Sequence, residues 1–98
     1  MTDQIAAVIT KPPAAKRFHA VETTPFLSDG EDVVEHTVIA SDPTLVIDMI
    51  TAPAGFVRWR VSDGIEDRNY MVTVTITTNA GRVEPTFIQY RIRQPAGA

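Results

Sequence analysis

The chain has 98 residues, 44% of them hydrophobic and 21% charged, with a formal net charge of −3. That is one domain's worth of chain, able to bury about 60–65% of its unfolded surface and too short for two lobes around a cleft. It has no cysteine, which excludes disulfides, thiolate catalysis and cysteine-based metal sites. No apolar run is long enough to span a bilayer, and the N-terminus lacks the basic start and apolar run of a secretory signal.

Composition also chooses a fold class. Eleven Val, nine Ile and twelve Thr stand against two Leu. Side chains branched at Cβ are stiff and sit best on a pleated surface, so the chain reads as all-β. Charge is uneven along it: residues 1–28 sum to +1, 29–67 to −7 and 68–98 to +3. That pattern suits strands of opposite charge pairing in a sheet, or a module whose ends meet different partners. A pI of 5.2 and the lack of any basic run interleaved with aromatics argue against nucleic-acid binding.

In chain order, residues 1–17 read as an extended N-terminal arm. Apolar Ile5, Val8 and Ile9 precede Lys11-Pro12-Pro13, where two prolines fix φ and remove two backbone donors. Those apolar residues are costly to leave in water, so the arm is expected to dock on a neighbouring subunit. Strands and turns then alternate over 18–94. A first extended segment at 17–21 leads to a loop at Thr24-Pro25-Phe26-Leu27 and the turn Ser28-Asp29-Gly30-Glu31. Strands follow at Val33–Ala40 and 44–50, broken by Pro43 and by Ala52-Pro53-Ala54-Gly55. In the next strand, 56–61, Val57, Trp59 and Val61 face one way and Phe56, Arg58 and Arg60 the other. The clearest alternation is Asn69–Thr78, with Tyr70, Val72, Val74 and Ile76 opposite Thr73, Thr75 and Thr77. Asn79-Ala80-Gly81 supplies a hairpin loop, and 86–93 returns with Ile88, Tyr90 and Ile92 inward. Residues 95–98 read as a frayed end. Six or seven short antiparallel strands at this spacing predict an immunoglobulin-like β-sandwich with an extended arm.

Candidate chemistry is thin. His19 and His36 lie in separate strands with no ligand spacing, and zinc needs three or four donors. The acidic turns Asp29, Glu31, Asp32 and Asp63, Glu66, Asp67 invite calcium, yet neither has the D-x-D-x-D-G pattern of an EF-hand. The three serines, Ser28, Ser41 and Ser62, fall in turns outside any G-x-S-x-G setting. The sequence therefore reads as a non-enzyme with no cofactor and no metal. Arg58, Arg60, Arg91 and Arg93 are more informative. Interleaved with Phe56 and Phe87 on outward strand faces, they form an arginine–aromatic patch of the kind enriched in protein interfaces, if the two strands are neighbours. The expected interface residues are Ile5, Val8, Ile9, Phe56, Arg58, Arg60, Phe87, Arg91 and Arg93.

The run Val57-Arg58-Trp59-Arg60-Val61-Ser62-Asp63-Gly64, then Asn69-Tyr70 through Thr78-Asn79-Ala80-Gly81-Arg82, and the closing strand from Phe87 to Arg93 resemble a group of small bacteriophage virion proteins. Those are fibre–tail adaptors with an immunoglobulin-like fold. The similarity covers about residues 56–94 and more loosely 30–50. The V-W-L-S-G-G segment of that group is departed from twice here: its second glycine is replaced around Ile65-Glu66-Asp67, and its Trp-Leu pair reads Trp59-Arg60. The resemblance implies a structural protein of the virion tail or neck, assembled in the host cytoplasm, present in several copies and binding tail proteins and fibres. It implies neither nucleic-acid nor membrane contact. A capsid decoration protein and a carbohydrate-binding adhesion module are the alternatives; the latter needs an exposed aromatic platform, and Trp59 alternates inward.

Overall fold

A computed structural model describes residues 5–53 and 55–94. It holds seven strands: β1 (Ile5–Lys11), β2 (Arg17–Glu22), β3 (Val33–Ala40), β4 (Leu45–Thr51), β5 (Phe56–Asp63), β6 (Asn69–Thr78) and β7 (Val83–Ile92), with one 3-10 turn at Thr24–Phe26. They form two sheets, ordered β1-β7-β6-β3 and β2-β5-β4, facing each other as a sandwich. The all-β expectation holds, with two differences.

The first concerns pairing. The strands were expected to be antiparallel throughout, but β1 runs parallel to β7, with Val8 opposite Gln89 and Lys11 opposite Ile92. The second concerns the arm. Residues 5–11 are extended, yet they add to this chain's own sheet. Ile9 packs against the core, and Lys11 is fully buried while its Nζ donates to the carbonyls of Pro12 (2.7 Å), Pro13 (3.3 Å) and Ala15 (2.8 Å). The Pro-Pro segment thus turns the chain instead of spacing it, and the turn's carbonyls compensate the buried ammonium. Burial holds the Lys11 pKa below the usual lysine value, a pull that Asp63 opposes. Residues 1–4 of the expected arm and the expected frayed end at 95–98 lie outside the described residues.

The alternating strands behave as their sequences require. Val57, Trp59 and Val61 of β5, Tyr70, Val72, Val74 and Ile76 of β6, and Ile88, Tyr90 and Ile92 of β7 make the core with Val38 and Leu45. β7 begins earlier than expected and includes Pro85. β1 covers β7 only from Phe87 onward, so Pro85 sits where that strand is still a sheet edge and can lack its N–H.

Three polar clusters fix the sandwich. At its centre the Tyr90 hydroxyl accepts the Trp59 Nε1–H at 3.1 Å and lies 2.7 Å from His19 Nδ1 in a hydrogen bond. Burial pushes the Tyr90 pKa up to about 12 and holds that of His19 below the usual imidazole value. At one end the Tyr70 hydroxyl accepts the Ile65 N–H at 2.9 Å and bonds Thr44 Oγ1 at 2.7 Å. At the other, the buried Glu31 carboxylate takes both Arg82 Nη2 (2.7 Å) and Nε (3.0 Å), the Ser28 N–H (2.8 Å) and the Thr78 hydroxyl (2.5 Å). Arg82 also donates to the Phe26 carbonyl, which ties the 23–32 loop to the β6–β7 hairpin.

Candidate interaction faces

Because β5 and β7 belong to different sheets, the single arginine–aromatic patch expected from the sequence does not form. Its residues are divided between the two outer surfaces of the sandwich.

On the β2-β5-β4 surface, alternation turns Phe18 and Ala20 of β2 outward, beside Phe56, Arg58 and Arg60 of β5 and Val46 and Asp48 of β4. Cross-strand register sets Phe18 opposite Arg60, Ala20 opposite Arg58 and Asp48 opposite Arg60. Phe18 and Phe56 are 46% and 45% exposed, a large apolar area to leave in water. The Arg58 guanidinium lies 4.6 Å from the centroid of the Phe18 ring, a cation–π contact across the β2–β5 pair. Arg60 instead grips Asp48 through two bonds, Nε to Oδ1 at 2.8 Å and Nη2 to Oδ2 at 2.7 Å. That pair keeps the Asp48 carboxyl below its usual pKa. Arg60 is therefore engaged internally, whereas Arg58 makes no ion pair among the described residues. Exposed Met49 and Ile50 extend the apolar area at the bulge of β4, where Met49 has φ +49°.

The opposite surface belongs to β1-β7-β6-β3. Phe87 is half-buried across from Thr73, and Arg91 is exposed across from Asn69 and Thr10. Val8 is exposed and lies beside Gln89, whereas Ile9 points into the core. Ile5 opens β1 opposite Phe87, and its side chain is outside the described residues. Arg93 follows β7 and is tied down, donating to the carbonyls of Arg68 (3.2 Å) and Ile92 (2.9 Å) and to Asn69 Oδ1 (3.0 Å).

Phe18 is the residue that sequence reasoning missed. The alternation of Arg17-Phe18-His19-Ala20-Val21, with His19 and Val21 inward, was enough to turn it out, but its partner Arg58 becomes visible only once β2 and β5 pair. Trp59 is fully buried, so it offers no platform for a sugar ring. Among the described residues no three His, Asp or Glu side chains are grouped to hold a metal ion.

The described residues thus form a two-sheet sandwich that carries exposed aromatic and arginine side chains on its outer surface. The family model described as "Podophage GP4 fiber-tail adaptor protein gp77" matches residues 11–89, and the chain belongs to that family of structural, non-enzymatic components of the phage tail. No curated protein matches the sequence. Among solved structures, the chain is similar to the 2,6-sialyltransferase of Vibrionaceae Photobacterium sp. JT-ISH-224 in complex with CMP and lactose, at 15% identity and a TM-score of 0.52. The match covers 96% of this chain but 19% of the enzyme, and at that identity it is a likeness of fold alone.

Proposed function

We propose that this chain is a structural adaptor of a podophage tail that joins tail components to tail fibres, with the outer surface of β2-β5-β4 as its principal docking face. Family membership over residues 11–89 carries the role. The exposed Phe18 and Phe56 around the stacked Arg58 carry the choice of face. Aromatic and arginine side chains at the centre of an interface supply most of its binding energy once water is excluded. The second surface, with Phe87, Arg91 and Val8, faces the other way, as a linker between two neighbours requires. The adaptor acts in several copies, so that weak single contacts add through effective concentration. It needs neither nucleic acid nor membrane.

We also read the sandwich, taken as residues 18–94 with β1 attached, as immunoglobulin-like. In support, the strand order matches two sheets of the types GFC and BED, with β1 added alongside the last strand. Tyr70, at the start of β6, bonds back to the backbone of Ile65, as the tyrosine corner of such domains does.

The docking face is tested with the double variant Phe18→Ser, Phe56→Ser. Both side chains are exposed, so the variant should fold with unchanged circular dichroism and fail to be incorporated into tails when it complements a phage lacking this protein. Normal incorporation would refute the choice of face.

A further inference from the structure

We infer that two copies of this chain pair through the free edge of β3, joining their four-stranded sheets into one eight-stranded sheet. Among the described residues β3 is paired only to β6, and no other backbone hydrogen bond reaches Val33–Ala40. An open edge is a template for another strand unless it is blocked by proline, by charged side chains (lysine above all) or by a bulge. The other edges carry such blocks. β1 runs into Pro12-Pro13, β2 begins at Arg17, and β4 is interrupted between Asp48 and Thr51. β3 has no proline, its one charged side chain is Glu35, and its register shift lies at its start, between Val33 and Glu35, leaving an unbroken run from Glu35 to Ala40.

The surroundings of this edge also fit an added strand, which needs room on both sides of the sheet for alternate side chains. One hollow of about 430 Å³ lies where Val33, Val34 and His36 meet the segment around Pro53 and Val57. A second, of about 380 Å³, runs along the strand itself, lined by Val34 to Thr37 with Thr75 and Thr77. Val34 and Ile39 are 59% and 62% exposed.

Self-complementarity identifies the occupant as a second copy. An antiparallel register with Thr37 facing Thr37 keeps the outer faces of both copies on the same side. It sets Glu35 of each copy beside Ile39 of the other, so like charges do not meet along the strand. At the strand ends Asp32, which makes no ion pair among the described residues, comes opposite the Asp42 turn of the second copy. There Arg68 lies 3.6 Å from Asp42 with half of its side chain exposed, a cation available to Asp32 across the interface. The pairing is isologous, as a two-fold axis requires.

The test is sedimentation equilibrium and light scattering on the full chain, with two variants at one exposed position. The wild type should show a concentration-dependent species of twice 10.8 kDa. Ile39→Glu sets a carboxylate beside Glu35 of the other copy and should weaken association at least tenfold, whereas Ile39→Lys sets an opposite charge there and should retain the dimer. Circular dichroism checks that both variants fold. A wild type that stays monomeric at millimolar concentration, or two variants that associate equally, would overturn the pairing. The adaptor reading does not depend on either result.

Discussion

Replacing Tyr90 with Phe removes one oxygen from the centre of the sandwich and leaves its volume almost unchanged. That oxygen accepts the Trp59 indole N–H at 3.1 Å and is bonded to His19 at 2.7 Å. His19 is half-buried and can turn toward water, so its loss is small. Trp59 is fully buried and can find no other acceptor. A buried donor left without a partner costs about 1–3 kcal/mol, and about 2 kcal/mol is expected here. In a domain of this length each kcal/mol moves Tm by roughly 4–8 °C, giving a drop of about 8–16 °C. Urea unfolding followed by fluorescence of Trp59, the single tryptophan, reads the change in midpoint directly. A Tyr90→Phe protein within about 0.5 kcal/mol of wild type, the range of ordinary surface changes, would refute the argument that this oxygen holds the two sheets together.

Acid should release the Glu31 clamp. The bonds from Arg82, with those from Thr78 and Ser28, hold the Glu31 pKa down to about 2, against 4.5 for a free glutamate. A depressed carboxyl contributes stability that is complete above about pH 4.5 and lost as pH falls toward 2. Tm measured across that window should therefore fall more steeply for wild type than for Glu31→Gln. Gly64 has φ +98°, and a Cβ there would lie 2.8 Å from Ile92 Cγ1, whereas Gly81 has φ +83° and nothing within 4 Å. Gly81→Ala should lose only the conformational part, about 1–2 kcal/mol, and Gly64→Ala clearly more, as read from their urea midpoints.

The antiparallel strands were legible because each has one face in the core and one toward solvent. β5, β6 and β7 alternate with period two, and burial follows that alternation over Phe56–Val61, Asn69–Thr78 and Phe87–Ile92, with Ser62 buried out of turn at the end of β5. β1 was not legible as part of the sheet. Its partner β7 lies at the far end of the chain, and a parallel pairing leaves no turn signature between them. Pro12-Pro13 looked like a spacer because the three carbonyls that bind Lys11 are brought together only by the fold. Of the expected interface residues, Val8, Phe56, Arg58 and Arg91 stand exposed on outer surfaces and Phe87 is half-buried, whereas Ile9 packs against the core and Arg60 and Arg93 are engaged within the chain. Their grouping failed for one reason: whether β5 and β7 are neighbours depends on which sheet each strand joins, and alternation within a strand is silent on that.

Cryo-electron microscopy of the intact particle tests the adaptor role most directly. The account predicts density for this sandwich between the tail and the base of the fibres, with the Phe18, Phe56 and Arg58 face covered by a neighbouring protein. Density confined to the capsid shell, or a tail–fibre junction built without this chain, would contradict it.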